Sequence, residues 1–148
     1  RADLSGAKLN RADLRNVNLT GASLHGARLE AADLRGAMLT RVDLSGCNLR
    51  KAQLMSCDLT EVNAEGADLS GANLSGSEMF RINLAGAKLV GANVRGSNLR
   101  AANLRGADLR KADLTNVLLA ESNLSEAMTE GADLSTSVVR DMKKVAGD

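Results

Sequence analysis

Two cysteines, a single histidine and many carboxylates and hydroxyls are the side chains with which this 148-residue protein could attempt chemistry. Cys47 and Cys57 stand ten positions apart, with no CxxC spacing and no Cys/His cluster, so neither a metal-thiolate site nor a redox pair is written here. No Ser/His/acid set assembles around His25, which reads as a surface residue. Glycines five apart, such as Gly21 and Gly26, follow a spacing that pervades the chain and do not mark a phosphate loop. We therefore expect no enzyme, no cofactor and no metal.

What positions these residues is a period of five. From Ala2 the chain reads Ala-Asp-Leu-Ser-Gly, Ala-Lys-Leu-Asn-Arg, Ala-Asp-Leu-Arg-Asn, and continues without insertion to Val139, giving 28 units. The third position is Leu in 23 units, departing at Ala64, Met79, Val94, Thr129 and Val139, and the first is small, Ala in 17. Thirteen of the 14 glycines occupy the fifth position. Five residues turn an α-helix through about 140° beyond a full turn, which scatters the leucines around it. In an extended segment the first and third residues share a face, so Ala and Leu point inward together. Five is odd, so the chain must turn a corner between triplets to keep the next pair inward. Glycine at the fifth position suits a type II corner, whereas Arg, Lys, Asn or Glu there suggests type I geometry. Short sides joined by corners make a coil, and coils stack as parallel strands about 4.8 Å apart. The absence of Pro fits, because each would remove a donor from that ladder.

The units Ala2-Asp3-Leu4, Ala72-Asn73-Leu74 and Ala132-Asp133-Leu134 follow the pattern A(D/N)LXX, and in them the chain resembles the pentapeptide repeat proteins. That resemblance implies an all-β fold: a right-handed quadrilateral parallel β-helix with four units per coil, about seven coils, and a length of roughly 30–35 Å at the strand spacing. Residues 1–139 would form the β-helix and residues 140–148 a short C-terminal helix or tail. Val139, Met142, Val145 and Ala146 have helical spacing, and the segment could cap the last coil or pair with a second copy. Arg1 already lies inside the repeat, so we expect a segment to precede it.

With four units per coil, residues 20 apart stack. Asn63, Asn83, Asn103 and Asn123 would then form a side-chain amide ladder, and Thr20, Thr40 and Thr60 a second column. Leu4, Leu44, Leu84, Leu104 and Leu124 would line the bore. Cys47 and Cys57, half a coil apart, would face opposite walls as reduced core thiols, consistent with a cytoplasmic setting. The inward polar residues Ser77, Ser97, Ser122, Ser137 and Thr129 should bond to neighbouring backbone. Asp and Asn at second positions read as a solvated wall.

The formal charge is +1, from 19 cationic and 18 anionic side chains. Such balance gives no support to a polyanion mimic or a strongly basic nucleic-acid binder. No run approaches the roughly 18 apolar residues of a membrane span, so no membrane insertion is expected. Sorted by wall, the charges separate. One wall carries Lys8, Arg11, Arg28, Arg50, Lys51, Lys88, Arg110 and Lys111 against Glu30, Asp68, Asp108 and Glu130; another carries Asp3, Asp43, Glu65 and Glu126 against Arg105. The basic wall could dock an acidic protein surface. Outward Phe80, Met55 and Met38 could anchor a contact, since aromatic residues and Met are enriched at interfaces.

These features suggest a non-enzymatic scaffold whose candidate partner-binding residues are Phe80, Met55, Arg50, Lys51, Arg110 and Lys111. The stretches Asn63-Ala64-Glu65-Gly66-Ala67, Gly76-Ser77-Glu78-Met79 and Ile82-Asn83-Leu84 resemble the C-terminal repeats of eukaryotic proteins joining a BTB domain of the potassium-channel-tetramerisation type to pentapeptide repeats, plant formin-interacting members among them. The likeness implies a rod that recruits a substrate, formin or other cytoskeletal partner, while an N-terminal BTB domain engages a cullin ubiquitin ligase. An alternative within the wider family is the bacterial DNA-mimicking, gyrase-binding class, which needs an acidic surface and Phe at many central positions. Direct nucleic-acid binding is disfavoured because aromatic stacking platforms are absent.

Overall fold

A computed structural model describes residues 1–139 and 141–143. Each second-position residue forms a parallel bridge with the residue 20 further on, from Asp3 with Ser23 to Asn123 with Lys143. Corners recur every five residues, so one coil is a square of four sides. We call these the first to fourth walls, after the second-position columns that begin at Asp3, Lys8, Asp13 and Asn18.

Backbone bonding explains why five residues suffice for a side and a corner. Leu4 N–H donates to the Ser23 carbonyl at 2.7 Å, Gly6 N–H to His25 at 2.8 Å, and Ser23 N–H to Ala2 at 3.0 Å, while Ala7 N–H closes the corner on the Leu4 carbonyl at 3.0 Å. The second, third and fifth amides thus run along the stack, and the first closes a β-turn. The fourth amide has no backbone partner.

Every corner from Gly6 to Gly131 places its fifth residue in the left-handed region, at φ of 63° to 74° for glycine and 56° to 63° for other residues. Fourth residues stay at negative φ, so these turns are type II. The expectation of type I corners at Arg, Lys, Asn or Glu is therefore corrected. Arg11, Lys51, Glu61 and Lys111 adopt the glycine conformation because the fifth amide must point along the stack to reach its carbonyl. Thr136 departs, as a β-branched residue resists φ above zero. There Asn116 N–H reaches the Thr136 hydroxyl, at 2.9 Å, instead of a backbone carbonyl. Strain at an alanine corner should be releasable. Ala101→Gly, at φ of 57°, is expected to stabilise the rod by roughly 0.5–1 kcal/mol, measured by urea unfolding against the parent.

First and third positions fill the bore. Leu44, Leu84, Leu104 and Leu124 are almost wholly buried, whereas Leu4 is only partly buried because no coil covers it from below. The buried column runs from Ala22 to Ala127, with Cys47, Cys57, Ser77, Ser97 and Ser122 set among its aliphatic side chains. At the other end Asp141 forms a left-handed corner, Met142 packs against the core and Lys143 bridges Asn123. The square coil therefore passes the expected boundary at Val139, and residues 141–143 are not helical. The rest of the expected C-terminal helix or tail, Arg140 and residues 144–148, lies outside the described residues. Among the described residues no helix is long and apolar enough to cross a membrane.

Candidate functional site

The orphan fourth amide decides what the second position must be. All eighteen Asp and Asn residues in that column accept it through Oδ1, as Asp3 does from Ser5 at 3.0 Å and Asn73 from Ser75 at 3.0 Å. These residues are corner caps as well as a solvated wall. The signal was present in the sequence: an Asx side chain bonding backbone two residues on is a recognised turn device, and Asp and Asn share it. Asn83 Nδ2 also donates to Asn63 Oδ1 at 3.1 Å, and Asn103 Nδ2 to Asn83 Oδ1 at 3.2 Å. The amide ladder thus joins three of its four expected members, while Asn123 Oδ1 takes the Ser125 hydroxyl instead.

Capping shifts the carboxylates. Arg15, through its guanidinium and then its amide, pulls Asp13 down to about 2; the Thr115 and Ser135 hydroxyls and amides lower Asp113 and Asp133. A depressed folded-state pKa adds stability above the ordinary carboxylate value, which is lost as pH falls through the folded value. Melting temperature should therefore fall between pH 4 and pH 2. Asp113→Asn with Asp133→Asn should flatten that fall while leaving the melt at pH 7 nearly unchanged, since Asn makes the same cap.

The other chemically capable side chains are spent on structure. Cys47 Sγ donates to the Leu24 carbonyl at 2.8 Å and Cys57 Sγ to that of Leu34 at 2.9 Å, on opposite walls and unpaired. Burial pushes both thiols up to about 11, which removes the thiolate needed for reaction at neutral pH. Ser77, Ser97, Ser122 and Ser137 hydroxyls donate to the carbonyls of Leu54, Leu74, Leu119 and Leu134. Thr129 is only partly buried. His25 Nδ1 contacts Ser45 Oγ at 2.8 Å, but that hydroxyl donates to Asp43 Oδ1 at 2.6 Å, so its proton faces a carboxylate and not the imidazole. Among the described residues no group of three or more His, Cys, Asp or Glu could hold a metal ion.

The expected partner-binding residues distribute over three edges. Arg50, Lys51, Arg110 and Lys111 share the edge following the second wall and are exposed. Met55 lies on the next edge, beside a surface depression of about 410 Å³ lined with Arg15 and Arg35. Phe80 occupies the edge after the fourth wall, diagonally across the square from Arg50 and Lys51, so the three sets do not form one patch. It is half-buried, with the Arg81 guanidinium 5.2 Å from its ring centroid, a cation–π contact. The fourth wall also carries exposed Met38, Leu118 and Val138. Leu118 and Val138 border a second depression, of about 350 Å³, with Arg100 and Glu121.

Internal pairing thins the basic wall. Arg110 forms a two-pronged pair with Asp108, at 2.8 and 2.6 Å, and Arg50 lies 3.5 Å from Asp68. Among the described residues, Lys8, Arg11, Arg28, Lys51, Lys88 and Lys111 have no carboxylate within 4.0 Å.

Comparison with known proteins agrees with this geometry. The family model "Pentapeptide repeats" matches residues 1–36, 37–76 and 77–116. Among solved structures, trypsin-treated QnrB1, a plasmid-mediated fluoroquinolone resistance protein, is 18% identical over 95% of this chain and 77% of its own, with a TM-score of 0.61. Full-length QnrB1 is 14% identical over 99% and 92%, with a TM-score of 0.56. A pentapeptide repeat protein from Nostoc Pcc 7120 is 30% identical over 66% of this chain and 78% of its own, with a TM-score of 0.46. No curated protein matches the chain. The QnrB1 likeness is one of fold, a right-handed β-helix solenoid. With a family model covering most of the sequence and corners that explain its consensus, this chain belongs to the pentapeptide repeat family.

Proposed function

We propose that the chain is a non-enzymatic protein-interaction scaffold, a stiff rod whose walls present side chains at fixed spacing. One observation carries this reading: thiols, inner hydroxyls and second-position carboxylates are all engaged in holding the coil, which leaves the outward charges and apolar residues to interact with something else. Solenoids commonly bind proteins along such surfaces. The candidate contacts are the basic edge, with Arg50, Lys51, Arg110 and Lys111, and separately Met55 and Phe80. The short likenesses at residues 63–67 and 76–84 extend the proposal to the recruiting part of a BTB-type ubiquitin-ligase adaptor or cytoskeleton-linked protein. On it, formin or another cytoskeletal protein would bind the rod in the cytoplasm, and a cullin ligase would bind a domain outside this chain.

A photo-crosslinking residue placed at Lys51 or at Phe80 tests the scaffold reading. A discrete protein adduct from one site, competed away by unlabelled rod, is the expected result; no competable adduct from either site would overturn it. The DNA-mimicking alternative shares its solenoid fold with QnrB1 but meets an outer surface of nearly balanced charge. A gyrase supercoiling assay separates it, since that reading requires inhibition at low rod concentration.

A further inference from the structure

The second-position column shows where the chain departs from its own structural rule. From Asp3 to Asn123 the first wall follows the Asp/Asn rule except at Ser23, before ending on Lys143, and the third follows it except at Gln53. The second wall breaks it at Lys8, Arg28, Lys88 and Met128, and the fourth at Met38, Glu78, Leu118 and Val138. Two opposite walls are thus built for the coil, and two give up caps for other side chains. Natural sequences violate local consistency mainly where function demands it.

The clearest departure lies at one end of the second wall. Lys8 and Arg28 are bridge partners, which stacks two cations in adjacent strands, and like charges directly opposite are destabilising. Neither can accept the fourth amide of its unit. Glu30 N–H is rescued by Asn10 Oδ1 at 3.0 Å, from the coil below. Arg11 and Lys51 flank the pair on the adjoining edge, around a depression of about 430 Å³ that Asn10 and Glu30 also line. Lys8, Arg11, Arg28 and Lys51 have no carboxylate within 4.0 Å among the described residues. The stacked like charges, the missing counter-charges and the uncapped Asn10 amide are relieved by an anionic ligand lying along the wall.

Building on the scaffold reading, we infer that the second wall around Lys8, Arg11, Arg28 and Lys51 docks an acidic segment of a partner protein. The segment is peptide because Glu30 interrupts the cations and Asp68 follows them, which spaces favourable sites apart. A phosphate backbone, charged at every step, would be repelled there, and the wall offers no aromatic face for bases. Spaced carboxylates on an extended chain match both the free cations and the gaps.

The test sets binding against stability in one variant. The probe is a fluorescent 20-residue peptide alternating Glu with Ser, read by anisotropy at low salt; the comparisons are a neutral Gln/Ser peptide and a 20-base-pair DNA duplex. Lys8→Asn with Arg28→Asn restores both caps and removes the stacked cations. It should raise the melting temperature while weakening the acidic peptide by roughly fivefold or more. Arg41→Asn with Arg100→Asn, an equal charge change on the diagonal edge, should weaken it by less than about twofold. Equal losses in both variants, binding of the neutral peptide as tight as the acidic one, or tighter binding of the duplex would each overturn the inference. If crosslinks from Phe80 capture a partner while the acidic peptide fails, the docking site falls and the scaffold reading survives. If neither site crosslinks, the scaffold reading falls and partner docking on this wall falls with it, even where the acidic peptide binds.

Discussion

Leu84→Ala should cost about 3–5 kcal/mol and convert a single unfolding transition into a broadened or earlier one. Leu84 is 1% exposed, and the residue stacked beneath it in the same inner column is Ala64, also 1% exposed. A second alanine directly above would merge two short side chains into one void. The hydrogen-bonded coils on either side hold the walls apart, so the void cannot collapse, and removal of a buried Leu is most damaging where relaxation is blocked. Leu4→Ala makes the contrast. Leu4 sits in the first coil, half-exposed with one neighbouring coil, and its truncation should cost roughly 1 kcal/mol. Urea unfolding followed by circular dichroism measures both. Comparable costs at the two sites would mean that the bore is not a continuous packed column.

The square coil was legible because three independent regularities agree: an apolar third position, a small first position and glycine at the fifth. The bore leucines, the opposed cysteines and the bonded inner serines follow directly from that register. Corner geometry did not, since Arg11 or Lys51 at φ near 58° contradicts its own preference. That preference yields only because the amide must reach the next coil, a tertiary demand invisible to local propensity. The capping role of Asp and Asn was obscured by its regularity: a residue repeated on every wall looks like solvation until the missing donor is counted. Surface grouping was the least readable. Phe80 and Arg50 are both outward, and only the order of walls around the square separates them onto opposite corners.

That accounting of donors changes what the absence of proline means, and unit 87–91 can show it. Lys88 N–H donates to the Ala67 carbonyl at 2.9 Å, so Lys88→Pro removes a rung of the ladder and should cost about 3 kcal/mol or more, whereas Lys88→Ala, which keeps the amide, should be nearly neutral. Val90, two residues on, occupies the second position of the type II corner, where a φ near −65° is what the turn requires. Its amide has no carbonyl in the ladder, and its unit carries Lys88 in place of a capping Asp or Asn. Its carbonyl, which accepts from Gly71 at 3.0 Å, is left intact by the substitution. Val90→Pro should therefore be tolerated and should stabilise by about 0.4–1 kcal/mol, through the entropy it removes from the unfolded chain. Thermal melts of Lys88→Pro, Lys88→Ala and Val90→Pro decide the matter. If Val90→Pro unfolds the rod as Lys88→Pro does, the fourth amide is part of the ladder after all, and the Asp and Asn column loses its explanation.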